Sequence, residues 1–273
     1  MSPPSTALGH YLWTFDSTFD DTSSTLNGVP INNASFSNSS ITGHGFSLSL
    51  NASMSQSVSI AQPFLPLVNR SWTFEAWIYL FNVTNRTDHP IIGQCETKAK
   101  DRCLHVLVRD RKLYIGFYGD DLTGVTDLNA SCWYHIAFVF DIVTGTQSLY
   151  LDGVLDGTRP SSSSYLGTSG VLDIGIDSWS NGHHHFDGFI DQLSLTNRSK
   201  TPQEILRDAT LTVSFSFDSN STVDEGPLGI NGSLLGNTSF VPGRRGQALH
   251  IDHVSDSYLM VQGLVLLGTH NQS

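Results

Sequence analysis

Apolar and polar residues alternate with a period of two through much of the chain. The strongest run is Trp72-Thr73-Phe74-Glu75-Ala76-Trp77-Ile78-Tyr79, and the alternation recurs in Leu104 to Val108, Leu113 to Phe117, Tyr134 to Phe140 and Leu149 to Leu151. A period of two sends successive side chains to opposite faces of an extended strand, so each run predicts a strand with one face on a core. Gly, Asn and Asp punctuate the runs. Asp152-Gly153, between Ser-Leu-Tyr-Leu and Val-Leu-Asp-Gly, predicts a type I′ hairpin. Many short strands with such turns predict an all-β chain and point to a sandwich. One helix is predicted near residue 205. Thr201 is its N-cap, Pro202 sits in its first turn, and Glu204 completes a capping box ahead of Ile205 and Leu206.

The pattern is also repeated. Leu12 to Asp21 recurs as Val213 to Thr222, with Phe15-Asp16 matching Phe217-Asp218. The match continues with Leu26-Asn27-Gly28 against Ile230-Asn231-Gly232, Phe36 against Phe240, and Gly45 and Leu48 against Gly246 and Leu249. Val58-Ser59-Ile60 then matches Leu259-Met260-Val261, and Asn69-Arg70-Ser71 matches Asn271-Gln272-Ser273. An offset near 200 residues is the size of a sandwich, not of a solenoid unit. The division expected is therefore one complete unit over 10–209 and the truncated start of a second over 211–273. The second copy stops before a counterpart of the Trp72 run, so it cannot close a sandwich. It is expected to be loosely attached or to be completed by further sequence.

Composition changes this picture in two ways. Charged residues are only 14% of the chain, and the net charge of −11 disfavours phosphate backbones and anionic membrane surfaces as partners. No run approaches the ~20 apolar residues of a membrane-spanning helix. Asn-x-Ser/Thr occurs at Asn33, Asn38, Asn51, Asn69, Asn82, Asn85, Asn129, Asn197, Asn220, Asn231, Asn237 and Asn271, which is 12 of the 15 asparagines. A Ser/Thr content of 59 in 273 predicts only about 3. That excess reads as N-glycosylation and a secreted or extracellular protein. Met1 to His10 carries neither the basic nor the apolar segment of a signal peptide, so a fragment or an incomplete gene model is expected. Cys95 and Cys103 flank a polar stretch between two strand runs and suit a disulfide at a hairpin end, which leaves Cys132 over.

Five segments, in this order, resemble the laminin-G-like jelly-roll family of the concanavalin A-like lectin/glucanase superfamily. They are residues 72–79 (WTFEAWIY), 132–141 (CWYHIAFVFD), 147–157 (QSLYLDGVLDG), 173–177 (DIGID) and 186–205 (FDGFIDQLSLTNRSKTPQEI). The resemblance implies a concanavalin A-like jelly roll of two antiparallel sheets, one concave, with one short C-terminal helix. It also implies extracellular recognition of a glycan or protein partner, often with calcium.

Candidate sites are sparse. The first unit more distantly resembles the pentraxins, whose calcium lies between two loops, and the matching loops hold Asp101 and Asp177. The pattern departs from theirs: Arg102 follows Asp101, and Ser178 and Trp179 follow Asp177. Two ligands fall short of the roughly 6–8 oxygens calcium takes, so solvated loop acids are the first reading and calcium the second. Asp120-Asp121 reads as a turn, with calcium again second. His183-His184-His185 and Asp187 read as a polar loop, because neighbours on an extended chain diverge. Trp77 and Trp133 read first as core, whereas Trp179, beside Asp177, is the aromatic candidate for stacking on a sugar. A glycan hydrolase needs two neighbouring carboxylates. Glu75 has Thr73 and Trp77, not acids, two positions away, and in an extended segment Asp173 and Asp177 stand about 13 Å apart. Enzyme function is therefore not expected, and a recognition module ranks ahead of a purely structural or adhesion repeat.

Overall fold

The computed structural model describes residues 10–61, 64–84, 87–161, 163–177, 184–211, 213–253 and 256–262. Asn85, Asn271, Trp179, His183, residues 1–9 and residues 263–273 lie outside them.

The sandwich opens with β1 (His10–Trp13), β2 (Val29–Ile31), β3 (Ser35–Ser37), β4 (Ser47–Leu50) and β5 (Ser57–Ile60). Its middle holds β6 (Trp72–Leu80), β7 (Asp88–Cys95), β8 (Cys103–Arg109), β9 (Lys112–Gly116) and β10 (Asp121–Thr123). It closes with β11 (Trp133–Asp141), β12 (Thr146–Leu151), β13 (Val154–Pro160), β14 (Leu172–Ile174), β15 (Gly188–Thr196) and α1 (Pro202–Thr210). The strands form two antiparallel sheets. The first runs β13-β12-β11-β6-β15-β4-β3, with β1 also on β15; the second runs β10-β9-β8-β7-β14-β5-β2.

The period-two pattern decides what lies between them. Trp72, Phe74, Ala76, Ile78 and Leu80 of β6 enter the core and meet Leu104, Val106 and Val108 of β8 and Phe138 and Phe140 of β11. The Trp72 ring packs on Phe138, with centroids 4.9 Å apart, and on Phe117 at 5.9 Å. Thr73, Glu75, Trp77 and Tyr79 necessarily face the other way, onto the outer face of the first sheet. Trp77 and Trp133 are thus not part of the main core. Trp77 lies in a second, smaller cluster with Ile41, Leu228 and Ile230, and Trp133 packs at its edge. The turn and the helix form as their residues predict. Asp152 and Gly153 both have positive φ, 49° and 80°, as a type I′ turn requires. Thr201 accepts from the Glu204 N–H while the Glu204 carboxylate accepts from the Thr201 N–H. Ile205 of α1 then packs on Ala137, Val139 and Tyr150.

The remaining strands, β16 (Gly232–Leu235), β17 (Thr238–Pro242), β18 (Gln247–Ile251) and β19 (Tyr258–Val261), pair as two separate ribbons, β16 with β19 and β17 with β18. Their local structure repeats that of the opening strands. Phe36 pairs with Leu48 and Phe240 with Leu249; Pro30 pairs with Val58 and Leu234 with Leu259. The Asp16 carboxylate accepts from the Phe46 N–H at 2.8 Å, and Asp218 accepts from the Gln247 N–H at 2.8 Å. In both places the preceding glycine, Gly45 or Gly246, has positive φ, and a Cβ there would lie 2.1 Å from the aspartate. Among the described residues these ribbons do not close into a sandwich. The segment is attached through Leu228 and Ile230, which bury against Trp77 and Ile41.

Candidate functional site

The residues expected to act together are separated by the strand directions. Asp101 sits in the loop that leaves β7 at Cys95, where its backbone N–H donates to the Tyr118 carbonyl and its own carbonyl accepts from the Leu166 N–H. Asp177 follows β14, which runs antiparallel to β7 with Leu172 opposite Gln94 and Ile174 opposite Ile92. The chain leaving β14 therefore travels toward Asp88, at the far end of β7 from Cys95. Asp101 and Asp177 do not meet, and the site expected between them is not formed. Gly175, with φ of 82°, also turns the chain between Asp173 and Asp177, so that segment is not extended throughout. The predicted disulfide is present: Cys95 and Cys103 are bonded across the β7–β8 hairpin end, while Cys132 is an exposed thiol.

Asp177 instead meets Asp88 and His184, whose ligand atoms all lie within 4.8 Å of one another. This set does not fit calcium. It offers two carboxylates and an imidazole, where calcium takes about 6–8 oxygens. The carboxylates also have protein partners: Arg109 Nε donates to Asp88 Oδ1 at 2.7 Å, and His184 Nδ1 lies 2.9 Å from Asp177 Oδ2. His184 and His185 do not converge, since His185 pairs through its backbone with Ile176 while His184 faces Asp177.

The chemistry gathers on the outer face of the second sheet. Strand register places Ser59, Asp173, Gly93, His105, Gly116 and Asp121 in one row across five strands and into β10. Their neighbours Val58, Leu172, Ile92, Leu104 and Ile115 fill the core, so this row points away from it. Glycine on either side of His105 leaves a trough. The Asp121 carboxylate lies over Gly116, where a Cβ would come within 1.7 Å of Oδ1. Beside the row, Tyr114 Oη donates to Asp121 Oδ2 at 2.9 Å. The Tyr114 and His105 rings stack with centroids 5.6 Å apart, and the Arg109 guanidinium lies 4.2 Å from the Tyr114 centroid. A cleft of about 210 Å³ opens among His105, Arg109, Tyr114, Tyr118, Gly119 and Asp121.

Burial sets the charge of this cleft. It lowers the His105 pKa, against the pull of the Asp121 carboxylate, so the ring is neutral at physiological pH. Burial, with Asp121 beside it, pushes the Tyr114 hydroxyl up to about 12. The hydrogen bond with Asp88 raises Arg109. His105 Nδ1 lies 3.1 Å from the Cys103 carbonyl, which only accepts, so Nδ1 carries the proton and Nε2 is an acceptor. Nε2 stands 3.7 Å from Asp121 Oδ1, a buried oxygen with no hydrogen-bond donor. An acceptor without a donor at the edge of a cleft calls for a guest that donates, such as a hydroxyl.

The Asn-x-Ser/Thr asparagines stand elsewhere. Among the described residues Asn33, Asn38, Asn51, Asn69, Asn82, Asn129, Asn220, Asn231 and Asn237 are exposed and Asn197 is half-buried. None lies in β7, β8, β9, β10 or β14, which carry most of the row. Of the cleft residues, sequence reasoning had marked only Asp121, and as part of a turn.

The first sheet does bring a second carboxylate toward Glu75. Lys200 Nζ bonds Glu75 Oε2 and, at 2.9 Å, Asp208 Oδ2. One ammonium holding both carboxylates makes a clamp between β6 and α1 rather than a free acid–base pair. Burial raises the Glu75 pKa, and Lys200 opposes the rise.

No curated protein matches the chain in sequence. Among solved structures it is similar to domain 4 of AbnA, a GH43 extracellular arabinanase from Geobacillus stearothermophilus, in complex with arabinotriose. The TM-score is 0.55 at 16% identity, over 72% of this chain and 95% of that one. The botulinum neurotoxin serotype C1 binding domain gives a TM-score of 0.58 at 14% identity, over 75% of this chain and 52% of the other. The binding domain of botulinum neurotoxin DC in complex with SialylT gives 0.55 at 12%, over 84% and 56%. The chain thus spans about half the length of these toxin domains, and identities this low establish the fold alone. Residues 51–206 match the family profile described as Concanavalin A-like lectin/glucanases superfamily, and on that match, over more than half its length, the chain belongs to this superfamily.

Proposed function

We propose that this chain is an extracellular recognition module that binds a neutral carbohydrate in the trough on the outer face of its second sheet. The observation that carries the reading is Asp121 Oδ1, a buried acceptor with no hydrogen-bond donor, in a glycine-floored cleft beside Tyr114 and Arg109. A sugar supplies a hydroxyl donor to such an acceptor and accepts from Arg109 in return. The disulfide and the exposed glycan acceptors support an oxidising, extracellular setting. Absence of acceptor asparagines from the central strands of this face supports its remaining uncovered. The arabinotriose bound by the arabinanase domain supports the ligand class. Residues 213–261, with strand pairing like that of β2 to β5, are read as the opening of a second unit in a tandem array.

A glycan array probed with the full chain tests this, wild type beside Asp121→Ala. The wild type is expected to retain a defined set of saccharides, with binding unchanged in EDTA, and the variant to lose it. A wild type that captures no saccharide, or a variant that captures the same set, refutes the reading.

A further inference from the structure

A second cavity, of about 190 Å³, lies on the outer face of the first sheet, where β6, β11 and β15 meet α1 and the 213–261 segment. Glu75 and His135 line its floor, Gln192 and Ser194 one side, and Trp77 and Leu228 an apolar wall. Leu228 comes from the docked segment, so the cavity exists only with that segment in place.

Two polar atoms in it have no partner. Glu75 Oε1 and His135 Nδ1 are both buried without a hydrogen bond, and their residues are only 4% and 3% exposed. His135 Nε2 stands 3.9 Å from Glu75 Oε1, too far for a direct bond. Buried polar groups are otherwise almost always satisfied, so an orphaned pair in a roomy cavity points to a hydrogen-bonding guest. Its charge follows from the surroundings. Glu75 and Asp208 are offset by Lys200 and by Arg207, whose Nε lies 3.4 Å from Asp208 Oδ1. Burial pulls the His135 pKa down to about 3, so the imidazole is neutral at physiological pH. The walls therefore carry no net charge and select no ion. A guest that donates to Glu75, exchanges a hydrogen bond with His135 and lays C–H groups on Trp77 and Leu228 is a polyol ring.

We propose that this seam between the sandwich and the following segment is a second ligand site, taking one neutral sugar residue. It is separate from the trough on the second sheet and does not depend on it. Occupancy also holds the 213–261 segment in place, because the sugar contacts both sides of the seam.

Saturation-transfer NMR on the full chain, with methyl glycosides of glucose, galactose, mannose, N-acetylglucosamine and arabinose as probes, tests the proposal. Transfer to at least one probe is expected in the wild type and in Asp121→Ala, which alters only the trough. Leu228→Trp, made in the Asp121→Ala background so that the trough contributes no transfer, fills the seam from the segment side without touching the Lys200 clamp, and should weaken that probe at least tenfold. Glu75→Gln should do the same where it folds, and Leu228→Trp decides the matter where it does not. No transfer in the wild type means that the cavity holds solvent only and overturns the proposal. Transfer undiminished by Leu228→Trp, or abolished by Asp121→Ala, overturns it as well; the latter assigns all sugar binding to the trough.

Discussion

The Tyr114 hydroxyl donates to Asp121 Oδ2 across 2.9 Å and so fixes the carboxylate that faces His105. Phenylalanine at position 114 keeps the ring stacked on His105 but removes that donor, leaving Asp121 Oδ2 with the Gly119 N–H at 3.3 Å. A hydrogen bond of this kind contributes about 1 kcal/mol net. Tyr114→Phe is therefore expected to lower unfolding free energy by roughly that amount, read by urea denaturation, and to weaken saccharide binding about fivefold. Unchanged affinity would detach Tyr114 from the site.

Asp191 gives the fold a pH dependence of unusual sign. It is 1% exposed, and burial pushes its pKa up to about 8 although the Ile41 and Gln192 N–H groups bond its oxygens. A carboxyl that holds its proton more tightly folded than unfolded stabilises the fold most below the unfolded pKa near 4. That stability is lost as pH rises from there to about 8, by a few kcal/mol in all. The melting temperature of the wild type should fall over this window relative to that of Asp191→Asn. Parallel pH profiles for the two proteins would contradict the assignment.

The Cys95–Cys103 bond closes a loop of eight residues' separation. Chain entropy assigns such a closure about 2–3 kcal/mol. The double variant Cys95→Ser/Cys103→Ser should lose that much stability yet keep its strands, read by far-UV circular dichroism and chemical denaturation. A wild type indifferent to reducing agent would show that the bridge contributes nothing to stability.

Glycan occupancy is expected to follow exposure. Peptide mass spectrometry of the protein made through a secretory pathway should find Asn33, Asn38, Asn51, Asn69, Asn82, Asn129, Asn220, Asn231 and Asn237 modified. Asn197, half-buried, should be the least occupied of the described acceptors. A chain secreted with these residues bare would remove the sequon argument for the extracellular reading.

Local signals were legible in the sequence where the chemistry itself is local. The alternation of Trp72 to Tyr79, the Asp152-Gly153 turn and the Thr201–Glu204 capping box each involve neighbours, and each appears as its residues require. Asp16 with Gly45 and Asp218 with Gly246 make the same bonded turn, as their matching residues suggest. The recognition face was not. His105, Gly116 and Asp121 meet only because β8, β9 and β10 pair in one register, and register is a long-range property. Asp101 and Asp177 failed for the same reason in reverse: both are loop acids, but the direction of β14 sends them to opposite ends of β7. Alternation put Trp77 opposite Phe74, but only the docking of Leu228 and Ile230 explains why a residue outside the main core is buried.

Backbone amide shift mapping with a saccharide retained on the array tests the central claim most directly. The account predicts that shifts concentrate at Gly93, His105, Gly116, Asp121 and their strand neighbours on the second sheet. Perturbations confined to the β2–β4 end, or spread evenly through the sandwich, would contradict it.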